Sequence, residues 1–160
     1  MSKYNRILFL DEDGSRLSAY AMMLLNWKLS EKKIEDLQVE ARGNIVLFPE
    51  PANQKIAEIA RIKGLSLKDF SSQELKNEDF SDTTLVLAVD TVSKQRAYDK
   101  YKEAVNVYTI REFVGETGAD IKLKLGGSIE DYDAVCSIVD RVTDQLIDTI
   151  GYSEEERKEK

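Results

Sequence analysis

The chain has 160 residues, 42% hydrophobic and 33% charged, which suits a single domain with one sizeable core. Its net charge of −7, from 23 basic and 30 acidic residues, argues against nucleic acid and anionic membranes as partners. One cysteine and no histidine exclude an internal disulfide, CxxC motifs, His-based triads and the usual zinc sites.

No apolar stretch reaches the roughly 18 residues of a membrane span. Met1-Ser-Lys-Tyr-Asn5 carries no signal pattern, so a cytoplasmic protein is expected.

In chain order, Arg6–Leu10 is a short apolar run that predicts a buried strand. Leu17–Leu29 has helical spacing at Leu17, Tyr20, Ala21, Leu24 and Leu25, with Ser15 or Ser18 as a possible cap. Asp36–Ala41 alternates around Leu37, Val39 and Ala41 and reads as a second strand. Gly43 to Pro51 is a loop with an apolar patch, Ile45-Val-Leu-Phe48. Asn53–Lys63 is an amphipathic helix, capped by Asn53 and stopped by Gly64. Ser71–Leu75 reads as a helical turn, Thr84–Val89 as a third buried strand, and Ser93–Tyr101 as a helix opening on Ser93. Val105–Ile110 is a fourth strand, and the Gly-containing stretch from Arg111 to Gly127 is irregular. A long last helix spans Ser128–Ile150, capped by Ser128, with Glu130 and Asp131 at its positive dipole end. The domain is expected to cover 1–151, with 152–160 as a charged, solvated tail.

Strands alternating with helices predict a parallel sheet covered on both faces, with its site at the carboxyl ends of the strands. The turns after Leu10 and Val89 and the loop 111–127 then share one rim. The first turn, Asp11-Glu-Asp-Gly-Ser-Arg-Leu-Ser18, joins a strand to a helix through a glycine. That is the layout of an anion cradle, because helix N-terminal N–H groups attract anions. Yet Asp11, Glu12 and Asp13 add about three negative charges to it, and like charges repel.

Several segments, in order, resemble the low-molecular-weight protein tyrosine phosphatase family, including its bacterial arginine-phosphatase relatives. They are Arg6-Ile-Leu-Phe-Leu10, Ser18-Ala-Tyr-Ala-Met-Met-Leu-Leu25, Pro51-Ala-Asn-Gln-Lys-Ile56, Lys63-Gly-Leu-Ser-Leu67, Asp82-Thr-Thr-Leu-Val-Leu-Ala-Val89, Ser93-Lys94, Tyr108-Thr-Ile-Arg-Glu-Phe113 and Gly126-Gly-Ser-x-x-x-Tyr132. The resemblance runs from about Arg6 to Gly151 and implies an α/β three-layer sandwich whose four-stranded parallel sheet has the order 2-1-3-4.

It also implies a phosphate loop at Asp11, Glu12, Asp13, Gly14, Ser15, Arg16, Leu17 and Ser18. The family's chemistry uses a low-pKa cysteine, a bidentate arginine clamp and an aspartic acid in a D-P pair. Aligned without gaps, these positions are held by Asp11, Leu17 and Leu123-Lys124. A one-residue deletion would bring Arg16 to the clamp position, but the gapless register keeps Ser18, Ala21, Leu24 and Leu25 on the family pattern. The resemblance therefore implies a pseudophosphatase, a binding or regulatory module for an unidentified protein partner or small ligand, with no cofactor.

A competing motif overlaps the turn. Asp11-Glu-Asp13-Gly-Ser15 matches the D-x-D-G-[ST] opening of haloacid-dehalogenase phosphatases, in which the first aspartate is the nucleophile and Mg²⁺ neutralises the charge. Asp90-Thr91, Lys94 and Asp120 would supply the remaining parts. Asp11 and Asp13 are then metal-ligand candidates, with Glu12 beside them. Against this stands a solvated acidic turn in which Arg16 is a counter-charge, with Lys122 and Lys124 pairing to it from across the rim. Cys136 reads as a half-buried helix residue. Trp27 and Ile45–Phe48 read as packing residues, unless Phe48 is exposed on the rim as a partner contact.

Overall fold

A computed structural model describes residues 3–117 and 120–151. Its centre is the strand β1 (Arg6–Asp11), flanked by β2 (Gln38–Gly43) and β3 (Thr84–Ala88), with the short β4 (Val107–Thr109) outside β3. All pairings are parallel and the order is β2-β1-β3-β4, as the resemblance implied. Ile7 through Leu10 have no exposed surface, because a central parallel strand is covered on both faces.

Alternate residues therefore serve opposite cores. Ile7, Phe9, Leu85 and Leu87 pack with the helices α1 (Leu17–Glu31), α2 (Gln54–Ile62) and α5 (Ile129–Thr149). Leu8, Leu10, Val86 and Ala88 pack with Ala97 and Tyr101 around α3 (Thr91–Lys100). Asn53 caps α2 by accepting from the N–H groups of Lys55 (3.0 Å) and Ile56 (3.2 Å). Ser128 and Asp131 form a reciprocal capping box at the start of α5. α1 and α5 are tied by the buried Lys28, whose Nζ donates to Thr143 Oγ1 (2.7 Å) and pairs with Asp140 Oδ1 (2.8 Å).

Several expectations are corrected. Ser71–Leu75 is not a helical turn: it runs extended beside the end of β2, where Gly43 N–H donates to Gln73 O and Leu75 N–H to Gly43 O, both at 2.9 Å. The edge strand recruits this segment to satisfy its outer backbone groups. A single 3₁₀ turn falls later, at Asn77–Asp79. β2 sits two residues further on than expected. α3 opens at Thr91 rather than Ser93, because Asp90 is the cap and the Ser93 N–H is what it binds (2.8 Å). β4 is shorter than Val105–Ile110: Asn106 has φ 57°, and Ile110 begins a one-turn helix, α4 (Ile110–Phe113), inside the stretch read as irregular.

Trp27 is 45% exposed, and Leu47 (82%) and Phe48 (73%) stand in solvent rather than packing. Cys136 is fully rather than half buried. Among the described residues, no helix is long and apolar enough to cross a membrane. The expected tail, 152–160, lies outside the described residues.

Candidate active site

β1 ends at Asp11, and α1 begins at Leu17, so the turn between them brings its N–H groups back over the strand end. Gly14 is required there twice over. Its φ is +78°, and a Cβ would come within 2.9 Å of Gly43 N. Gly43 is the complement: a Cβ on it would overlap the Asp13 carbonyl carbon and lie 2.5 Å from Gly14 N. The loop is thus folded tightly onto the end of β2, further fixed by Asn44 N–H donating to Asp11 O (3.1 Å) and Ile45 N–H to Glu12 O (3.0 Å). Gly14→Ala is expected to cost more than about 2 kcal/mol, since backbone rather than side chain would have to yield. Gly64→Ala, where the added Cβ meets nothing, is the control for the ordinary cost of a positive φ. Urea denaturation of the two variants checks it.

The cradle is occupied from within. Asp11, only 5% exposed, turns its carboxylate into the N–H groups of its own loop. Oδ1 accepts from Gly14 N–H (2.6 Å), and Oδ2 accepts from Ser18 N–H (3.0 Å) and Arg16 N–H (3.3 Å). Neither Ser15 nor Ser18 caps the helix; the N–H groups of the cap residue Arg16 and of Ser18 in the first turn go to Asp11 instead. Burial pushes the Asp11 carboxyl up to about 6, and the charge of Asp13 adds to this. The Ser18 and Gly14 N–H groups pull it the other way. Ser18 Oγ, fully buried, also biases it downward through its dipole but reaches no partner in hydrogen-bond geometry.

The other loop carboxylates are engaged elsewhere. Asp13 Oδ1 accepts from Ser15 N–H (2.9 Å) and Oγ–H (3.0 Å), and its Oδ2 pairs with Arg16 (3.3 Å). Glu12 faces out and pairs with Arg96 of α3 at 2.9 Å. Arg96 was not singled out from the sequence, since nothing in a solvated helix face marks which cation will cross to the turn. Lys122 and Lys124, expected as those partners, form no ion pair with the turn among the described residues. Lys94 is held by Glu112 (2.8 Å), and Thr91 Oγ1 donates to Asp120 Oδ1 (2.8 Å). Among the described residues no group of three or more carboxylate or thiol side chains is placed to hold a metal ion. Cys136 lies in the core on α5, where burial raises its thiol to about 12.

Above Asp11 opens a cavity of about 290 Å³ at the carboxyl end of the sheet. Leu17, Val89, Ile121 and Leu123 form its walls, with Val92 and Leu125 at the mouth. The positions expected for nucleophile, clamp and acid (Asp11, Leu17 and Leu123) therefore do line one space. Asp90 and Ile121 line it too. Ile121 reaches the rim because its N–H bonds to Val89 O (3.0 Å), which extends the chain alongside the end of β3.

Residues 6–157 match the model of the family described as low molecular weight phosphotyrosine protein phosphatase. The chain belongs to that family. It is 29% identical over 146 residues to a protein-arginine-phosphatase of Geobacillus stearothermophilus, covering 88% of this chain and 95% of the relative. The solved YwlE arginine phosphatase of the same organism has a TM-score of 0.82 at 26% identity, covering 97% of this chain and 96% of that one. A low molecular weight protein tyrosine phosphatase from T. tengcongensis gives 0.82 at 26% identity, covering 89% and 97%. The phosphatase-family fold thus extends over the chain, and the D-x-D-G-S segment sits within it as the turn after β1.

Proposed function

We propose that the chain is a phosphatase-fold binding module that has given up thiol-based phosphoryl transfer, its loop being filled by a side chain of its own. The observation that carries this reading is the Asp11 carboxylate on the Gly14, Arg16 and Ser18 N–H groups. Those donors are what a phosphoryl oxygen would need. A second anion there would meet a carboxylate at contact distance, in surroundings too dry to screen it. Hydrolysis by the family's route also needs a thiolate, and the chain's one thiol is buried in α5 with its proton held tightly. At the clamp position the side chain is Leu17, and Arg16 next to it is turned to Asp13. The activities for which the relatives are named, protein tyrosine and protein arginine phosphatase, are thus not carried over to this chain.

The test is hydrolysis of a generic aryl phosphate with and without Mg²⁺, with Asp11→Asn alongside. No turnover is expected in any arm. Mg²⁺-dependent turnover abolished by Asp11→Asn would replace this reading with an aspartate nucleophile or metal ligand at Asp11. Mg²⁺-independent turnover would mean that the loop still accepts a phosphoryl group.

A further inference from the structure

Backbone groups at a sheet edge need partners, and the two edges of this sheet meet that need differently. On β4, Asn106 O accepts from Val86 N–H on the β3 side (2.9 Å), so Val107 and Thr109 face outward. The chain's own side chains hold both outward donors: Val107 N–H donates to Tyr98 Oη (3.3 Å) and Thr109 N–H to Glu112 Oε2 (3.0 Å). On β2, Gln38 N–H donates to Asn5 O (3.0 Å) and Asn44 N–H to Asp11 O (3.1 Å), both on the β1 side. Val39, Ala41 and Gly43 therefore face outward. Gly43 is paired with the segment Gln73–Leu75. Two outward carbonyls are also taken, Val39 O by Asn26 Nδ2 (3.2 Å) and Ala41 O by Arg42 Nη1 (2.9 Å). The N–H groups of Val39 and Ala41 are the exception, since neither has an acceptor among the described residues. Pairing stops short of them because Ser72 N–H turns to Glu50 O (2.8 Å).

Alongside lies a cavity of about 420 Å³ that shares no lining residue with the one over Asp11. Glu40 and Ala41 form its strand side, Met22 of α1 one wall, and Leu67, Phe70 and Ser71 the wall opposite. Two donors two residues apart on a strand stand about 6.6 Å from each other, the spacing at which the carbonyls along one edge of an extended peptide recur.

We propose that β2 takes up an extended segment of another protein as a fifth strand, whose carbonyls accept from Val39 and Ala41 N–H. The added strand follows the line of the chain's own segment at Glu74, which already pairs in parallel with Gly43. Its side chains alternate between the two faces. One set rests on Met22, Leu67 and Phe70, which pack on the α1 side of the sheet, and the other stands beside Glu40. Acidic side chains are excluded from the second set. Glu40 and Asp69 line the cavity, and its cation, Arg42, is held by Asp79 (3.2 Å) and Ala41 O. Backbone hydrogen bonds supply the affinity and the alternating pattern the register. This site stands whether or not the loop after β1 accepts a phosphoryl group.

The experiment is a titration of the isotope-labelled full chain with the blocked peptide Thr-Val-Thr-Val-Thr. Two further forms carry N-methyl groups on the valine amides or on the threonine amides. Saturable shifts are expected at the Val39 and Ala41 amides, with slowed hydrogen exchange at both, and none at Val107 and Thr109, whose donors are already held. Only one edge of the peptide faces β2, so one methylated form should bind about tenfold or more weaker and the other like the parent peptide. Equal effects of the two methylation patterns, no saturable shift at Val39 and Ala41, or shifts at Val107 and Thr109 instead would each overturn the proposal. Shifts at Val39 and Ala41 that follow protein concentration without peptide would also overturn it, by assigning the edge to a second copy of the chain.

Discussion

Replacing Asp11 by cysteine and Leu17 by arginine is expected to give a protein that hydrolyses an aryl phosphate, while the parent chain is expected to show no turnover. The cysteine sulfur would stand at the end of β1 against the N–H groups of Gly14, Arg16 and Ser18, which now hold the Asp11 carboxylate. Such donors at a helix N-terminus stabilise a thiolate and lower its pKa. Cys136, with no such donors and full burial, is held near 12. Removing the carboxylate also removes the internal anion, so an oxyanion gains the same three donors. The arginine at position 17 lies on the first helical residue of α1 and lines the cavity, where its fork can meet two phosphoryl oxygens. Leaving-group protonation is still missing in the double variant. Adding Leu123→Asp on the opposite wall is expected to raise the rate by a further ~10²–10⁴, the usual contribution of a positioned general acid. Steady-state kinetics check both steps, with thermal denaturation to show that each variant is folded. A folded double variant that neither turns over an aryl phosphate nor binds inorganic phosphate would show that positions 11 and 17 are not the nucleophile and clamp sites.

The substitution Asp11→Ala is expected to cost more stability in acid than at neutral pH, the reverse of an ordinary ion-paired carboxylate. The folded chain raises this carboxyl from 3.8 to about 6, so it binds the proton more tightly than the unfolded chain does. Stability from this group is fully present below pH ~3.8 and is lost as pH rises through about 6. A shift of about two units corresponds to about 3 kcal/mol. The difference in unfolding free energy between parent and variant should therefore shrink by up to that amount between pH ~4 and pH ~7.5. The groups that titrate elsewhere are common to both chains and cancel. Above the transition the variant still leaves three loop N–H groups without their acceptor, so it should gain stability from inorganic phosphate by mass action. The parent chain should not. Urea denaturation at the two pH values, with and without phosphate, measures both effects. A cost of Asp11→Ala that is independent of pH, or that grows toward neutral pH, would contradict a carboxyl raised by burial despite its three N–H donors.

Much of the fold was legible because buried parallel strands announce themselves as apolar runs. Ile7–Leu10 and Leu85–Ala88 could scarcely be anything but strands, and the Asn53 and Ser128 caps follow from local backbone chemistry that a few residues decide. The errors fell where backbone partners come from far along the chain. Ser71–Leu75 has no tertiary signature of its own; it is extended because Gly43 at the edge of β2 needs partners. The start of α3 was misplaced because Asp90 and Ser93 are both acceptable caps, and only the end of β3 chooses between them. Trp27 and Phe48 were expected to pack on hydrophobicity alone, which a one-way rule cannot support.

At the site, the sequence exposed the conflict between an anion cradle and the carboxylates in its loop but not its resolution. Three adjacent acidic residues look equivalent in sequence. The turn gives them separate fates: Asp11 inward onto the N–H groups, Asp13 to Arg16, and Glu12 outward to Arg96. What distinguishes Asp11 is its place as the last residue of β1, which points it under the start of α1. The apolar mouth formed by Val92 and Leu125 was equally hidden, since isolated valines and leucines in loops carry no signal until the rim brings them together.

The most direct test of the central claim, that Asp11 closes the loop to oxyanions, is a titration of the isotope-labelled parent chain with inorganic phosphate at pH ~7.5, above the raised Asp11 pKa. The N–H signals of Gly14, Arg16 and Ser18 report on it. The account predicts no saturable shift in the parent chain and a saturable shift at all three in Asp11→Ala. Saturable phosphate binding at those N–H groups in the parent chain would contradict it.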